Sequence, residues 1–303
     1  MKTLGLALFS ILLAITASAK LNVVATMDDM GSIAREVGGD RVDVVALAKP
    51  TEDPHFVDAK PSNVVKLNRA DAIVEGGAEL EIGWLPPLLE SARNPKLEPG
   101  KPGYIICSDG VALTEVPTKL DRSQGDIHAA GNPHFMVDPV NGKIAAQHIC
   151  DGFCQLDPGS SGYFQANLTK FNNEVDTKLV EWQKILAPYH GSHIVAYHNS
   201  WPYFAQRFGL NIDLFLEPKP GIPPTPANLE NVVARMKADK IRVIIVDPYY
   251  SRKTAETVAR DTEAIVVDVA QYPGGVKGTE GGYVALIDYL VHSLADALSK
   301  TSK

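Results

Sequence analysis

Eight histidines are spread along the 303 residues: His55, His128, His134, His148, His190, His193, His198 and His292. Imidazole is both a general base and a ligand for zinc, copper, iron or nickel. A histidine taken alone is more often surface or satisfied core, so context must separate them. Three stand where chains usually turn. His55 lies in Glu52-Asp53-Pro54-His55-Phe56, His134 in Asn132-Pro133-His134-Phe135, and His198 in Tyr197-His198-Asn199-Ser200, between a strand pattern and a helix pattern. His148 and His292 fall inside helix patterns, and His190 and His193 just before a strand; these four read as structural or exposed. His128, in the same central loop as His134, reads as a candidate auxiliary ligand. Two aspartates end strand patterns: Asp247 after Ile244-Ile245-Val246, and Asp268 after Ile265-Val266-Val267. Each alone reads first as a turn or cap residue. Either can supply the carboxylate that completes a four-coordinate site with three histidines.

Competing chemistries lack their motifs. The chain has no Walker-type loop, no G-x-G-x-x-G after its first strand, no H-E-x-x-H and no G-x-S-x-G elbow. Cys107, Cys150 and Cys154 are an odd set. The Cys150/Cys154 pair has no second pair for a structural zinc site, and buried free thiols are the favoured reading. A net charge of −7 argues against nucleic acid, which attracts basic faces.

The elements that must position these residues alternate. Met1-Lys2, an apolar run over 4–16 and Ala17-Ser18-Ala19 have the layout of a secretory signal peptide, residues 1–19, cleaved near Ala19. The run is short for a membrane span, and no cysteine follows it to indicate a lipoprotein. What remains is too long for one typical domain. Strand patterns at 21–27, 41–48, 71–75 and 104–107 alternate with helix patterns at 28–38, 61–70 and 79–93, the last expected to break at Pro86-Pro87. Residues 108–139 read as a polar loop, functional or mobile. Helices follow at 141–156 and 161–186. The second has Tyr163, Leu168, Phe171, Val175, Leu179, Trp182 and Leu186 on one face and would be about 40 Å long at 1.5 Å per residue. Strands at 193–197, 212–216, 241–246 and 264–267 then alternate with helices at 201–208, 227–238, 251–262 and 283–298. Such alternation predicts an α/β fold with parallel sheets. Ligands of such sheets gather at the carboxyl ends of strands, where the three histidines can converge.

Several segments together resemble the metal-binding solute-binding proteins of bacterial zinc and manganese ABC transporters, the cluster A-I type. They are Asp53-Pro54-His55 with Pro61-Ser62-Asn63-Val64, Leu67-Asn68-Arg69-Ala70-Asp71, Asn132-Pro133-His134 with Val137-Asp138-Pro139, Ala196-Tyr197-His198 with Tyr203-Phe204 and Phe208-Gly209-Leu210, and Val246-Asp247-Pro248. The resemblance covers nearly the whole mature chain and is closest to zinc-specific members with a short central loop. It implies two α/β lobes, residues 20–159 and 189–303, joined by a rigid helix at 160–188, with metal in the cleft. It implies His55, His134 and His198 as ligands, Asp268 as the fourth, and Asp247 as a supporting acid behind them. Histidine rather than carboxylate at 198 points to zinc as the transported ligand. The implied partners are an ABC permease and its ATPase. Because residues 108–139 hold only His128 and His134, a separate periplasmic partner that delivers zinc is a further expectation. The protein is expected to be a monomer, not an enzyme. The alternatives are a manganese- or iron-binding member of the same type, a zinc hydrolase with an open coordination position, and an adhesin on the same fold.

Overall fold

The computed structural model describes residues 19–119, 125 and 128–301; the predicted signal peptide lies outside them up to residue 18. Strands β1 (Leu21–Ala25), β2 (Val42–Ala46), β3 (Ala72–Glu75) and β4 (Tyr104–Ile106) form one sheet in the order β2-β1-β3-β4. Strands β5 (His193–Ala196), β6 (Asn211–Phe215), β7 (Val243–Val246) and β8 (Ile265–Asp268) repeat that order as β6-β5-β7-β8. All the pairings are parallel, so each sheet opens its loops at one shared carboxyl edge. In both sheets the chain winds outward from the first strand in both directions. That reversal leaves a crevice at the carboxyl ends, where α/β sheets hold ligands. No helix among the described residues is long and apolar enough to cross a membrane.

The helices are α1 (Asp28–Gly38), α2 (Pro61–Arg69), α3 (Leu85–Ala92), α4 (Pro139–Leu156), α5 (Ser161–Leu186), α6 (Pro202–Phe208), α7 (Pro226–Asp239), α8 (Arg252–Thr262) and α9 (Tyr283–Thr301). The expected helix at 79–93 is shorter than its pattern. Ala78 and Glu79 take positive φ, and α3 starts only at Leu85, with Pro86 and Pro87 in its first turn. Proline has no N–H to lose there, so it opens the helix rather than breaking it. Helix α5 spans the expected residues, but its buried face uses Phe164 where Tyr163 was expected. Tyr163 is 39% exposed and its hydroxyl accepts the N–H of Asp40 at 3.3 Å.

One apolar core runs through both halves. Val23, Ile73, Phe153, Phe171, Trp182, Ile194, Phe204 and Leu290 belong to the same buried cluster. A second cluster covers the other face of the second sheet, where Val195 and Ile244 meet Val232, Met236 and Val258 of α7 and α8. Strand β5 shows the period of two behind this division: Ile194 and Ala196 face the shared core, Val195 and Tyr197 the outer one. Two helices tie the halves together. Trp182 and Lys178 of α5 both reach Asp288 of α9, at 3.0 and 3.1 Å. At its start α9 touches the first half directly: the Tyr283 N–H donates to Ser32 Oγ at 2.9 Å and its hydroxyl to the Met136 carbonyl at 2.7 Å. The Sγ atoms of Cys150 and Cys154 are 3.9 Å apart, too far for a disulfide, and all three cysteines are free.

Candidate metal centre

The carboxyl edges of the two sheets deliver the candidate residues on separate loops. His55 follows β2. The Asp53 carboxylate accepts the His55 N–H at 3.0 Å, a local turn of the kind aspartate favours, and Trp84 Nε1 clamps the Pro54 carbonyl at 2.9 Å. His198 directly follows β5 and is buried. His134 comes from the long connection between β4 and α4, and is also buried.

The expectation that His134 rides on a mobile loop is corrected by what holds it. The Asn132 side chain accepts the His134 N–H at 3.0 Å and donates to the Asn199 carbonyl and to Glu115, both at 2.9 Å. The Tyr203 hydroxyl donates to the Asn132 carbonyl at 2.6 Å. Asp138 caps α4 through the Val140 N–H and takes both arms of Arg207 at 2.8 Å. Residues 132–138 are therefore anchored to α6, which belongs to the second half.

The three imidazoles meet. Each offers a ring nitrogen within 4.8 Å of those of the other two, and their centroids are 5.1, 5.4 and 5.6 Å apart. His55 Nε2 and His134 Nε2 are 3.3 Å apart. Two nitrogens on one tetrahedral zinc, each at about 2.0–2.1 Å, would be about 3.3–3.4 Å apart. The outward nitrogens of the two buried rings are already committed. His198 Nδ1 meets Glu217 Oε2 at 2.7 Å, and His134 Nδ1 meets Gln271 Oε1 at 2.9 Å. Both acceptors take an N–H, so in the neutral ring that a metal requires each Nε2 is the bare nitrogen and faces the shared centre. Burial, and then the neighbouring imidazoles, push His55 down to about 3; the same causes hold His134 well below the usual histidine range. The two rings are thus neutral, as ligands must be. A cleft of about 90 Å³ leads in, lined by Glu115, His128, Asn132, His134, His198 and Pro220. His128 stacks on His55 with centroids 5.1 Å apart, so it stands beside the three.

Asp268 does not join them. It ends β8 with its side chain half exposed and pairs with Arg252 of α8. The physical reason is its register: paired opposite Val246, it comes one step before the chain turns in, and Val269 and Ala270 are the buried residues after it. Gln271 is what reaches the site from this strand end. Asp247 is buried beside Gln271, Tyr249 and Trp201, and neither of its carboxylate oxygens has a hydrogen bond of standard geometry. Burial pushes it up to about 7, with those three neighbours pulling the other way. His148, His190, His193 and His292 lie outside this cluster. A second acidic group on the surface, Glu181 and Asp288 with His292, holds the ammonium of Lys178 between its carboxylates.

Glu217 and Gln271 were missed in the sequence. Glu217 had the same signal as Asp247, a polar residue at the carboxyl end of a strand. Gln271 had only its place at the start of a glycine-rich loop.

Comparisons with known proteins identify the family and the fold. Residues 23–297 match the profile of the family described as zinc-uptake complex component A, periplasmic. The manganese ABC transporter substrate-binding lipoprotein PsaA of Streptococcus pneumoniae serotype 4 is 26% identical, over 94% of this chain and 91% of its own. The metal ABC transporter substrate-binding lipoprotein ScbA of Streptococcus cristatus is 25% identical, over 94% and 91%. Among solved structures, a crystal structure of ZnuA superposes with a TM-score of 0.77 at 22% identity, covering 92% of this chain and 99% of that one. A manganese-bound periplasmic metal-binding protein from Candidatus Liberibacter asiaticus does so with 0.75 at 21%, covering 91% and 98%. The chain belongs to the zinc-uptake component A family and is, with it, a metal-binding substrate-binding protein of an ABC transporter, with permease and ATPase partners, rather than an enzyme.

Proposed function

We propose that this protein captures zinc in the periplasm with His55, His134 and His198 and hands it to its membrane transporter. The observation that carries the reading is the convergence of three imidazole nitrogens within 4.8 Å, with the buried pair held in the Nδ1–H form. The ion is cargo: it is bound by neutral imidazoles and released without reaction. Manganese is the second reading, because PsaA is named for it. Nitrogen donors favour zinc and oxygen donors manganese. His198 is an imidazole, and Asp268 is engaged with Arg252, which supports zinc. A fourth position is then left for water, for His128 as auxiliary donor, or for Asp268 if it leaves Arg252. Asp247 supports the site from behind Gln271. The predicted signal peptide to Ala19 supports the periplasm, and the histidine-poor loop leaves room for a separate zinc-delivering partner. Functionally, residues 20–159 and 189–303 act as two lobes held by the helix at 160–188.

Release requires one lobe's ligands to part from the other's. The clamps on His134 favour His55, the least buried of the three, as the ligand that leaves. Elemental analysis of the purified protein, followed by zinc and manganese competition calorimetry, tests the reading. Tight zinc binding that manganese cannot displace, lost in His134→Ala, is expected. Preference for manganese, or zinc affinity unchanged in His134→Ala, overturns it.

A further inference from the structure

The two buried imidazoles have unlike partners. His198 leans on a carboxylate, Glu217, at 2.7 Å, whereas His134 leans on a neutral amide, Gln271, at 2.9 Å. We infer that Gln271 is a positioning and specificity-determining residue, which fixes the metal-facing nitrogen of His134 and keeps the site poor in negative charge, so that it prefers zinc to manganese. This rests on the reading of the three histidines as ligands.

The two ends of the Gln271 amide have different partners. Gln271 is buried, with 4% of its surface exposed, so its orientation is set by protein groups. Its Nε2 donates at 2.6 Å to the Tyr249 hydroxyl, which stands beside the Asp247 carboxylate and can give its own proton there, and this turns Oε1 toward His134. An oxygen there can only accept, so His134 must carry its proton on Nδ1 and present a bare Nε2 to the centre. The reversed amide would offer an N–H to Nδ1, drive the proton onto Nε2 and block that ligand. Tyr249 therefore sets the His134 tautomer at one remove.

Charge bears on which ion the site prefers. None of the three ring donors brings a negative charge, and Glu217 is the one carboxylate hydrogen-bonded to them through a side chain among the described residues. Borderline ions accept such a nitrogen set, whereas manganese favours oxygen and negative charge. Partners of this kind orient the ring and tune its donor strength, and their loss costs roughly 10–100-fold in metal affinity. A carboxylate in place of Gln271 has the same reach. It would either polarise His134 as Glu217 polarises His198 or bring an oxygen to the ion.

The test uses the full mature protein with Gln271→Ala, Gln271→Glu and, as control, His134→Ala, each checked for an unchanged melting temperature without metal. Zinc and manganese affinities are measured by competition, and the His134 tautomer by nitrogen-15 imidazole spectra of the metal-free protein. We expect Gln271→Ala to bind zinc roughly 10–100-fold more weakly and to lose its single Nδ1–H tautomer. Gln271→Glu should keep that tautomer and narrow the zinc-to-manganese ratio by about tenfold or more. If His134→Ala abolishes zinc binding while both Gln271 variants match the parent in affinity ratio and tautomer, this inference is overturned and the ligand reading stands. If His134→Ala binds zinc normally, the ligand reading itself has failed.

Discussion

The metal centre has a braced side and an open side. His134 and His198 are buried, and each has its Nδ1 held by a side chain that follows a strand of the second sheet, Gln271 after β8 and Glu217 after β6. The segment that carries His134 is further tied to α6 by Asn132, Tyr203 and the Asp138–Arg207 pair. His55 comes from the first half, is the least buried of the three, and has a bond to its backbone but no hydrogen bond to its Nδ1 among the described residues. The exposed Phe56 stands next to it. Two of the proposed ligands are thus fixed in orientation without metal, and the third faces them with no such brace. Preorganisation on one side supports affinity, while freedom on the other gives the ion a way out.

Removing a ligand should give the largest effects and should separate the two sides. His198→Ala and His55→Ala should each cost more than about a hundredfold in zinc affinity by calorimetry, since loss of a mere supporting partner already costs 10–100-fold. Only His198→Ala should also lower the stability of the metal-free protein, by about 1–3 kcal/mol in a denaturant titration, because it leaves the buried Glu217 without its hydrogen bond. Equal losses of stability in both variants would remove the distinction. Next in size is Glu217→Gln, which keeps the shape but weakens the partner; zinc affinity should fall roughly 10–100-fold with little change in melting temperature. Arg207→Met breaks the two-armed contact to the buried Asp138. It should cost about 1–3 kcal/mol of stability and reduce zinc affinity less than Glu217→Gln does.

Acid probes the open side. His55 is pushed down to about 3 when folded, against an ordinary value near 6.5, so between these the unfolded chain binds more protons than the folded one. The stability it contributes is complete above about 6.5 and is lost as pH falls toward 3, with a slope of at most about 1.4 kcal/mol per pH unit. Asp29 and Asp247, pushed up to about 7, and Glu81, pushed up to about 8, act in the opposite sense, destabilising the fold as pH rises. The comparison must therefore be with His55→Phe, measured without metal. The variant should lose less stability than the parent between pH 6.5 and 4; parallel curves would place His55 in water. The smallest effect expected is that of Asp268→Asn. Its partner is the exposed Arg252, so zinc affinity should change by less than about threefold.

Much of this arrangement could be read from residue order. Period-two strands and capped helices have local causes, and a histidine between a strand and a helix is visible as His198. The start of α3 was misread because proline tolerated in a first turn and proline breaking a helix look alike in a one-dimensional pattern. Asp268 stands apart from the three histidines for a different reason. A strand's last residue faces inward or outward according to its register, and one position separates the exposed Asp268 from the buried Val269. Gln271 and Glu217 escaped because a neutral amide or a lone acid gains its role only from what lies opposite it in space. The anchoring of His134 depends on Asn132 meeting Asn199 across the cleft, a contact 67 residues apart in sequence.

The most direct test of the central claim is anomalous diffraction at the zinc edge from crystals of the loaded protein. The account predicts one strong peak at about 2.0–2.1 Å from Nε2 of His55, His134 and His198, with Nδ1 of the latter two still on Gln271 and Glu217. A peak bound by fewer than three of these imidazoles, or one found elsewhere in the molecule, would contradict it.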